Sequence, residues 1–352
     1  MNFDKKLLHW YLQNKRIMPW RQTKQPYNIW LSEIMLQQTR VEQGLPYYLK
    51  FIDTFPTVFD LAKASEEEVL KLWQGLGYYS RARNLHAAAT YVAEECEGVF
   101  PDSYVGLLKL KGVGDYTASA ISSICYDEPV AVVDGNVYRV LARYYGIKTP
   151  TNIGKGIKEF KELATVVMNK KVPGDYNQAI MEFGALQCKP GVPDCSLCPL
   201  NESCVGLATH QIGDLPVKLK KTKITKRYFN YLVFIINDAK TIIQQRTGKG
   251  IWQNMYEFPL VASLTAMNEE EVMKSESVSR LLGANSYVVQ KWNEDIKIHK
   301  LSHQHLYTSF YIIEIDEAPD IGDGQRIVGL ETVDDYPVPV LIGDFIEKFA
   351  LE

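Results

Sequence analysis

Two glycines separated by one residue interrupt a helical pattern in the middle of the chain. Each glycine inside a helix costs about 1 kcal/mol relative to alanine, so Gly112-Val113-Gly114 is predicted to form a hairpin between two helices. The second helix is predicted to begin near Thr117. Its first turn has unpaired N–H groups at the positive end of the helix dipole, and glycines let an anion approach closely. The hairpin is therefore expected to bind a phosphate through its main chain.

A carboxylate follows the hairpin at a predicted helix start. A short apolar helix after the glycines is stopped by Pro129, and Val133-Asp134-Gly135-Asn136 comes next. The hairpin and Asp134 are expected to belong to one functional unit. A Gly-x-Gly hairpin alone is also common in helical proteins that do not bind DNA, so the spacing to the carboxylate carries the prediction.

The bulk composition is that of an ordinary globular protein with room for several domains. The chain has 352 residues, 46% of them apolar and 23% charged, which predicts two or three domains. The net charge of -3 argues weakly against a nucleic-acid binder, but residues 1–225 carry +4 and residues 226–352 carry -7. The basic excess therefore lies in the part that contains the hairpin. Because this excess is small, specific phosphate contacts are expected to contribute more to nucleic-acid binding than a broad positive electrostatic field.

The sequence shows no membrane or export signal. It has no run of about 18 apolar residues, and its beginning lacks the basic-then-apolar layout of a signal peptide. A cytoplasmic protein without a membrane partner is expected.

A glutamate lies beside an apolar helical stripe near the beginning of the chain. Trp30 and Ile34, with Leu31 and Met35 one residue on, recur at helical spacing and are predicted to face a core. Burial beside this stripe would raise the pKa of Glu33, as a general acid near neutral pH requires. Periodicity alone favours the alternative, a surface glutamate on an amphipathic helix.

Four cysteines fall close together in the pattern Cys188-x6-Cys195-x2-Cys198-x5-Cys204. In a chain without a secretory signal this spacing predicts a metal centre rather than disulfides. Four thiolates hold either zinc or a [4Fe-4S] cluster, and ligand softness does not separate the two. The remaining two cysteines, Cys96 and Cys125, are predicted to be core residues.

The last third of the chain has a strand-like pattern. Tyr228–Ile236 and Thr241–Arg246 are predicted strands joined by a turn, followed by a helix from about 269 to 282. A Leu301-Ser302-His303 segment precedes another predicted strand, residues 307–315. An α+β domain is therefore expected after a linker that ends in a basic run, Lys218 to Lys226.

Together the hairpin and Asp134 resemble the helix-hairpin-helix, Gly/Pro-rich-loop, Asp superfamily of DNA glycosylases. Residues 30–41 and 73–85 closely resemble the adenine-specific mismatch glycosylases of the MutY family, and the cysteine spacing resembles the iron–sulfur loop of the endonuclease III and MutY families. The resemblance implies an all-α helix-hairpin-helix glycosylase core with an iron–sulfur cluster loop, plus a C-terminal α+β Nudix-like domain.

This resemblance also implies domain boundaries. Residues 22–130 are expected to form a six-helix bundle with the hairpin, and residues 1–21 with 131–205 a helical iron–sulfur cluster domain. Residues 206–226 are expected to be a linker, and 227–352 a Nudix-like domain that recognises 8-oxoguanine. Residues 269–283 lack the paired-glutamate pattern of a catalytic Nudix box, so a recognition domain is expected rather than a pyrophosphatase.

Catalytic roles follow from the resemblance residue by residue. Glu33 is expected to protonate adenine, and Asp134 to stabilise the cationic sugar electrostatically or by transient covalent capture, with Asn136 ordering that acid. Tyr116 occupies the position of the lyase lysine in endonuclease III, which implies a monofunctional enzyme. The adenine pocket implied by the resemblance comprises Arg16, Trp20, Glu33, Leu36, Tyr116 and Glu182. For Glu182, a buried structural role is the alternative.

DNA contacts, the cofactor and the partners are implied in the same way. Gln38, Thr39, Leu76 and Tyr78 are expected to reach into the duplex, and Ser302 and His303 to recognise 8-oxoguanine, although Leu301 replaces the family's phenylalanine. The four spaced cysteines are expected to bind a structural [4Fe-4S] cluster, with Lys189 near the DNA backbone. The implied partner is double-stranded DNA with adenine opposite 8-oxoguanine or guanine, bound by a monomer associated with a bacterial nucleoid. The competing hypotheses are a bifunctional endonuclease III-like enzyme and a catalytically silent DNA-binding protein.

Overall fold

The computed structural model describes residues 2–219, 224–283 and 285–349. Contacts divide the chain into two compact units, Met1–Lys63 with Asn84–Lys220 and Ala64–Arg83 with Lys221–Glu352. The predicted linker includes residues 220–223, which lie outside the described residues. The predicted domain boundaries at residues 130, 205 and 226 stay predictions.

Twelve α-helices precede the first strand in the described part of the chain. They are α1 Phe3–Asn14, α2 Pro26–Met35, α3 Val41–Thr54, α4 Val58–Lys63, α5 Glu66–Leu72, α6 Ser80–Glu95, α7 Tyr104–Leu107, α8 Asp115–Tyr126, α9 Gly135–Tyr145, α10 Gly154–Val167, α11 Pro173–Leu186 and α12 Val205–Ala208. Short 3₁₀ turns occur at Pro19–Arg21 and Asn201–Ser203. In the described residues no helix combines the length and apolar character needed to cross a bilayer.

The core of the first unit is built around α2, α8 and α11. Helix α2 packs on α3 and α8, and α11 packs on α1, α8 and α9. The stripe of α2 is buried as predicted, and the ring of Trp30 lies 5.3 Å from that of Phe100. Glu33 lies one turn after Trp30 on α2, and this packing places it on the side of the helix that faces the interior of the first unit.

Helix ends in the first unit follow local sequence signals, with small shifts. Helix α8 begins at Asp115, two residues before the predicted start, and α9 begins directly after Asp134, as predicted. Helix α11 begins at Pro173. Proline suits the first helical position because its missing N–H would be unpaired there anyway.

The second unit contains an eight-stranded mixed sheet. Its strands are β1 Thr225–Ile236, β2 Lys240–Gln245, β3 Tyr256–Glu257, β4 Leu260–Ser263, β5 Tyr287–Lys291, β6 Lys297–Lys300, β7 Gln304–Ile315 and β8 Gln325–Gly329. The central path is β3-β2-β1-β7-β5, with β4 on β1, β6 on β7 and β8 on β2. Strands β1 and β7 are parallel along their whole length, and the other pairs are antiparallel.

Both faces of this sheet are partly covered. Helices α13 Glu269–Met273 and α14 Glu276–Leu282 pack on one face against residues such as Leu232 and Tyr311. On the other face Phe310 stacks 4.2 Å from Phe345 of α15 Val340–Phe349. The single helix predicted from about 269 to 282 is therefore wrong in detail. A second helix begins after Ser275, since serine favours a helix N-cap position over a helix interior.

Residues 64–83 belong to the second unit although they lie far from its strands in sequence. Ser65 and Glu68 form a capping box at the start of α5. The Nδ2 atom of Asn254 donates to Glu66 at 2.6 Å, and the hydroxyl of Tyr256 donates to Glu67 at 3.1 Å. These bonds attach α5 to the sheet.

Candidate active site

The Gly112-Val113-Gly114 segment forms the loop that leads into α8. Gly112 has φ +81°, and a Cβ there would lie 2.8 Å from the Cβ of Asn84. Gly114 is the N-cap of α8, makes no side-chain cap, and has no atom within 4 Å of a built Cβ. The first N–H groups of α8 therefore face open space beside a residue without a side chain. This geometry suits close approach of an anion.

Asp134 occupies the N-cap of α9. Its Oδ1 accepts hydrogen bonds from the N–H groups of Asn136 and Val137 at 2.9 and 2.8 Å. Its Oδ2 accepts from Nδ2 of Asn136 at 2.8 Å. Burial raises the pKa of Asp134, while the hydrogen bonds from Val137 and Asn136 partly offset that effect. The carboxylate is thus fixed in one orientation by the helix that it caps.

Arg139 in turn fixes Asn136. Its Nη2 donates to Oδ1 of Asn136 at 2.8 Å and to the carbonyl of Gly184 in α11 at 2.6 Å. Its Nε donates to the carbonyl of Cys188 at 2.7 Å. One buried guanidinium therefore links the side chain that orders Asp134 to α11 and to the first cysteine.

Glu33 meets Tyr116 and Asp134 in the interior of the first unit. Burial raises the pKa of Glu33 to about 7, against the lowering effects of a hydrogen bond from the Tyr116 hydroxyl and the charge of Arg21. The nearby charge of Asp134 acts in the same direction as burial. The pKa of Tyr116 is raised well above its ordinary value, mainly by burial, so its hydroxyl keeps its proton. Glu33 is therefore a carboxyl group that titrates near neutral pH.

Glu182 accepts four hydrogen bonds, from Arg16 and Arg21. Its Oε1 accepts from the backbone N and the Nε of Arg16 at 3.0 and 2.8 Å. Its Oε2 accepts from Nη2 of Arg16 at 2.8 Å and Nη2 of Arg21 at 2.9 Å. The side chain is 1% exposed. Burial acts to raise the pKa of Glu182, but the hydrogen bonds from Arg16 and Arg21 prevail and lower it to about 2.

A pocket of about 180 Å³ brings most of the predicted catalytic and adenine-contacting residues together. Its lining includes these predicted residues: Arg16, Trp20, Glu33, Leu36, Thr39, Tyr116, Asp134, Asn136 and Glu182. It also includes residues that were not predicted: Met18, Arg21, Ile29, Val41, Ile124, Gln178, Met181 and Ala185. A more open cleft shares Glu33, Tyr116 and Asp134 with the pocket and adds Gln38, Gly112 and Gly114. Hairpin and pocket are thus parts of one concave surface.

The predicted duplex-contacting residues Leu76 and Tyr78 lie in the second unit. Leu76 is buried, whereas the side chain of Tyr78 is 50% exposed. The loop has left-handed backbone at Gly75, Gly77 and Tyr78. Arg81 holds it, because its Nη2 donates to the carbonyl of Gly77 at 2.8 Å and its guanidinium lies 5.6 Å from the centre of the Tyr78 ring. Tyr78 is therefore presented outward on an ordered loop.

The four spaced cysteines converge on one small cavity lined by largely apolar atoms. None of them forms a disulfide, and all four are partly buried. Arg143 of α9 holds the first part of the loop, with its Nη1 at 3.5 Å from Sγ of Cys188 and 2.8 Å from the carbonyl of Lys189. Among the described residues no three His, Cys, Asp or Glu side chains converge closely enough to hold a single metal ion.

Ser302 and His303 lie exposed in the three-residue connection between β6 and β7. The hydroxyl of Ser302 lies 3.2 Å from Nδ1 of His303. The carbonyl of His303 accepts from the N–H of Thr225 at 3.2 Å, which attaches this connection to the start of β1. Strand β7 begins at Gln304, three residues earlier than predicted.

Sequence reasoning missed three arginines that organise these sites, namely Arg21, Arg139 and Arg143. Arg139 and Arg143 are buried and lie four residues apart on α9, next to Val140 and other buried apolar residues. Two arginines on the apolar side of an amphipathic helix could have been predicted to organise the site, because a buried charge needs several partners. Arg21 offered no such signal, since its partner Glu182 is 161 residues away.

Comparisons with known proteins agree with this geometry. Residues 31–163 match the family model of the HhH-GPD superfamily base excision DNA repair proteins, and residues 231–348 match a NUDIX domain. An adenine DNA glycosylase of Buchnera aphidicola subsp. Schizaphis graminum is 38% identical over 73% of this chain and 74% of its own length. A second one, from Buchnera aphidicola subsp. Baizongia pistaciae, is 32% identical over 87% of this chain and 84% of its own. The structure of a thermostable thymine-DNA glycosylase matches with a TM-score of 0.55 and 30% identity over 59% of this chain and 95% of that chain.

Proposed function

The chain belongs to the adenine DNA glycosylases, enzymes of base excision repair that hydrolyse an N-glycosidic bond, and we propose that it removes adenine paired with 8-oxoguanine or guanine. The observation that carries the proposal is the pocket in which Glu33, with a pKa raised to about 7, faces Tyr116 and Asp134. An acid that titrates near neutral pH and a fixed carboxylate in one pocket are the two groups that acid-assisted cleavage needs.

The adenine must leave the duplex before it can react. Its glycosidic bond is inaccessible inside stacked base pairs, so the nucleotide is extruded into the pocket. The hairpin at Gly112–Gly114 holds a phosphate of the same strand through its N–H groups, while Gln38 and Thr39 contact the opened base pair. The shared lining of pocket and cleft supports this arrangement, because one strand passing the hairpin reaches Glu33.

Protonation of the base is assigned to Glu33. Near neutral pH Glu33 is protonated in about half of the protein molecules, because its pKa is raised to about 7. Transfer of that proton to a ring nitrogen makes adenine a neutral leaving group. The hydroxyl of Tyr116 acts to lower the pKa of Glu33, and burial keeps this hydroxyl itself protonated.

Stabilisation of the sugar is assigned to Asp134. When the glycosidic bond breaks, positive charge develops on the deoxyribose, and a fixed carboxylate stabilises it electrostatically or captures it covalently. Asn136 and the first N–H groups of α9 hold the carboxylate before the reaction, so little reorganisation is needed. Water then completes the hydrolysis.

The arrangement of Glu182 supports the structural alternative considered for this residue. A carboxylate has about four acceptor positions, and Arg16 and Arg21 use all four. A base could bond to Glu182 only by displacing an arginine. We therefore assign to Glu182 the role of holding Arg16 and Arg21 in the pocket wall as donors, next to Trp20 and Leu36.

Strand cleavage is not part of the proposed activity. A glycosylase that also cleaves the strand forms a Schiff base and needs an amine at the reacting carbon. By resemblance, Tyr116 occupies the position at which endonuclease III has its lyase lysine. The pocket lining contains no lysine among the described residues. We infer a monofunctional enzyme.

We propose that the four cysteines hold a [4Fe-4S] cluster rather than a single zinc ion, because their spacing resembles the iron–sulfur loop of the endonuclease III and MutY families. A cluster is a larger body whose irons each take one thiolate. Cys188, Cys195, Cys198 and Cys204 line one cavity, which supports this proposal. Bound there, the cluster would cross-link the loop through iron–sulfur bonds, while Arg139 and Arg143 hold Cys188 from α9.

Recognition of the opposite base is assigned to the second unit. 8-Oxoguanine differs from guanine by an N7 hydrogen and a C8 oxygen, which a hydroxyl and an imidazole distinguish by hydrogen bonding. Ser302 and His303 are exposed and already face one another. Leu301 is partly buried and replaces the family's aromatic residue, so polar contacts carry the recognition.

Single-turnover base release tests this proposal. The wild-type protein is expected to release adenine from duplexes with adenine opposite 8-oxoguanine or guanine, and Glu33→Gln is expected to bind them without releasing it. Duplexes with thymine opposite guanine test the activity named for the related thymine-DNA glycosylase. Release of thymine but not adenine, or undiminished release by Glu33→Gln, would contradict the proposal.

A further inference from the structure

One end of the sheet in the second unit carries a row of basic side chains. In the parallel pair, Lys226 of β1 lies opposite His305 of β7. In the neighbouring antiparallel pair, Lys300 of β6 lies opposite the same histidine. Directly opposed residues point to the same face of a sheet, so the three side chains form one row across three strands.

A second row next to it is aromatic and aliphatic. Tyr228 of β1 lies opposite Tyr307 of β7, which lies opposite Ile298 of β6. The rings of Tyr228 and Tyr307 are stacked with centroids 5.1 Å apart, and Ile298 is 45% exposed. Residues two apart along a strand share a face, so the two rows are adjacent. The basic-aromatic patch is defined here as Lys226, Tyr228, Ile298, Lys300, His305 and Tyr307.

The patch is the uncovered end of a face that is otherwise covered. Farther along β1 and β7, Leu232 and Tyr311 on the same face pack under α13 and α14. Burial rises steadily along β1, from exposed Lys226 through partly exposed Tyr228 to Asn230, which is 4% exposed. No described residue covers the first two rows enough to bury them.

Charge identifies the kind of partner that this patch accepts. Residues 226–352 carry a net charge of -7, and some lysines of the unit are paired with carboxylates, such as Lys297 with Asp344 at 3.0 Å and Lys274 with Glu270. Neither Lys226 nor Lys300 has a carboxylate at ion-pair distance within the described ranges. Two lysines without a carboxylate partner, one of them with its Nζ 5.6 Å from the centre of the Tyr307 ring, form a local positive region in an acidic unit, and such a region attracts a polyanion.

The patch adjoins the exposed Ser302–His303 connection. That connection begins directly after Lys300, and its His303 carbonyl accepts from Thr225, the neighbour of Lys226. A strand whose base reaches Ser302 and His303 therefore passes its backbone over the basic row. Lysine contacts to phosphate position a duplex without reading its sequence.

We propose that the basic-aromatic patch binds the sugar–phosphate backbone of the DNA strand opposite the adenine, which rests on the function proposed above. Lys226 and Lys300 each contact one phosphate, His305 adds an imidazole donor between them, and the rings of Tyr228 and Tyr307 lie against the deoxyribose. The patch strengthens DNA binding and leaves both the bond cleavage at Glu33 and the choice of opposite base unchanged.

The test compares the salt dependence of binding in the full chain. The double variant Lys226→Gln, Lys300→Gln and the wild type are titrated with a duplex that carries a non-hydrolysable adenosine analogue opposite 8-oxoguanine. Each lost phosphate contact lowers the slope of log affinity against log salt by about 0.9, so two lower it by about 1.8. Between 50 and 200 mM salt, the wild type is then expected to lose about twelvefold more affinity than the variant.

Two control variants separate this effect from a general change of charge or a folding defect. Lys226→Arg, Lys300→Arg keeps both charges and is expected to keep the wild-type slope. Lys240→Gln, Lys274→Gln removes two charges elsewhere in the unit. Lys240 lies opposite Ile236, at the end of β1 away from Lys226, and Lys274 follows α13. This variant is also expected to keep the wild-type slope. An unchanged slope in the patch variant, or an equal decrease in the distant control, overturns the proposal.

Base release measured on the same proteins distinguishes this proposal from the proposed function. At saturating protein, the patch variant is expected to keep the wild-type single-turnover rate and preference for 8-oxoguanine. If the wild type released no adenine but the slopes differed as expected, the patch would stand and the proposed function would fail. If adenine release were normal and the slopes equal, only the patch would be wrong.

Discussion

At the scale of single residues, the proposed chemistry depends on two carboxyl groups held in different environments. Glu33 sits among apolar residues of α2 and receives one hydrogen bond from Tyr116, so burial dominates and raises its pKa to about 7. Asp134 receives three hydrogen bonds at the start of α9, and these partly offset its burial. The helix dipole also favours the ionised form of Asp134. The pair is therefore suited to an acid and an anion in one pocket.

The pH dependence of base release tests this assignment. Above about pH 7 Glu33 loses its proton, so the single-turnover rate constant is expected to fall about tenfold per pH unit. At lower pH the rate is expected to fall again as Asp134 becomes protonated, which gives a bell-shaped profile. Tyr116→Phe removes the hydrogen bond that lowers the pKa of Glu33, so its alkaline limb is expected to shift to higher pH. A rate that stays constant from pH 7 to pH 9 would contradict a general acid at Glu33.

At the scale of elements, the two glycines of the hairpin have different physical roles. Gly112 needs its left-handed backbone, with φ +81°, and has no space for a side chain beside Asn84. Gly114 has extended backbone and an open surrounding, so nothing in the fold requires a glycine there. Its small size is therefore expected to matter only for what approaches from outside, namely the phosphate proposed to bind at the start of α8.

Alanine at each glycine separates folding from binding. Gly112→Ala is expected to lower the free energy of unfolding by about 1–3 kcal/mol, because alanine must adopt left-handed backbone against Asn84. Gly114→Ala is expected to change it by less than about 0.5 kcal/mol, since no contact is disturbed. Urea denaturation measures both. Gly114→Ala is expected to weaken duplex binding nonetheless, because its methyl group lies where the phosphate approaches. Normal DNA affinity in a folded Gly114→Ala protein would remove the hairpin from the DNA interface.

At the scale of the whole molecule, the two units differ in charge and in predicted task. The basic excess lies in residues 1–225, which contain the hairpin and the pocket, and the acidic excess lies in residues 226–352. The segment of residues 64–83 carries Tyr78 but belongs to the second unit, to which Asn254 and Tyr256 attach it. The second unit therefore carries more of the expected DNA contacts than its net charge indicates.

Loss of the cofactor is predicted to act on the fold rather than on the reacting groups. Cys198→Ser removes one of the four proposed cluster ligands, so the purified protein is expected to lose its broad visible absorbance and most of its iron, and to unfold at a lower temperature. Cys96→Ser is the matched control, because Cys96 does not line the cavity formed by the four spaced cysteines. This variant is expected to keep its colour and its iron. A colourless wild-type protein with stoichiometric zinc would contradict the cluster.

Preference for the opposite base is predicted to reside in the second unit. The double variant Ser302→Ala, His303→Ala is expected to lose most of the preference for 8-oxoguanine over guanine, since each lost hydrogen bond contributes on the order of 1 kcal/mol. Adenine release from a saturated duplex is expected to continue, because Glu33 and Asp134 are unchanged. Competition between the two duplexes at equal concentration measures the preference. Full preference in this variant would place recognition near Gln38, Leu76 and Tyr78 instead.

The sequence by itself determined the features that depend on nearby residues. The glycine hairpin, the Asp134 helix start, the buried stripe of α2 and the cysteine spacing follow from backbone conformation, helical period and ligand chemistry. Each of these signals lies within about two turns of helix or one loop, where chain geometry alone relates the residues.

Only the tertiary structure decided which distant residues meet. Periodicity favoured a surface position for Glu33, but packing of the helices buries it, and this burial is the main cause of its raised pKa, to which the nearby charge of Asp134 adds. Arg16 and Arg21 reach Glu182 across more than 160 residues, and residues 64–83 join a sheet whose strands begin at Thr225. No local pattern encodes such pairs, because they form only when burial of apolar faces packs the helices together and leaves each buried charge to be paired by whatever side chain lies opposite.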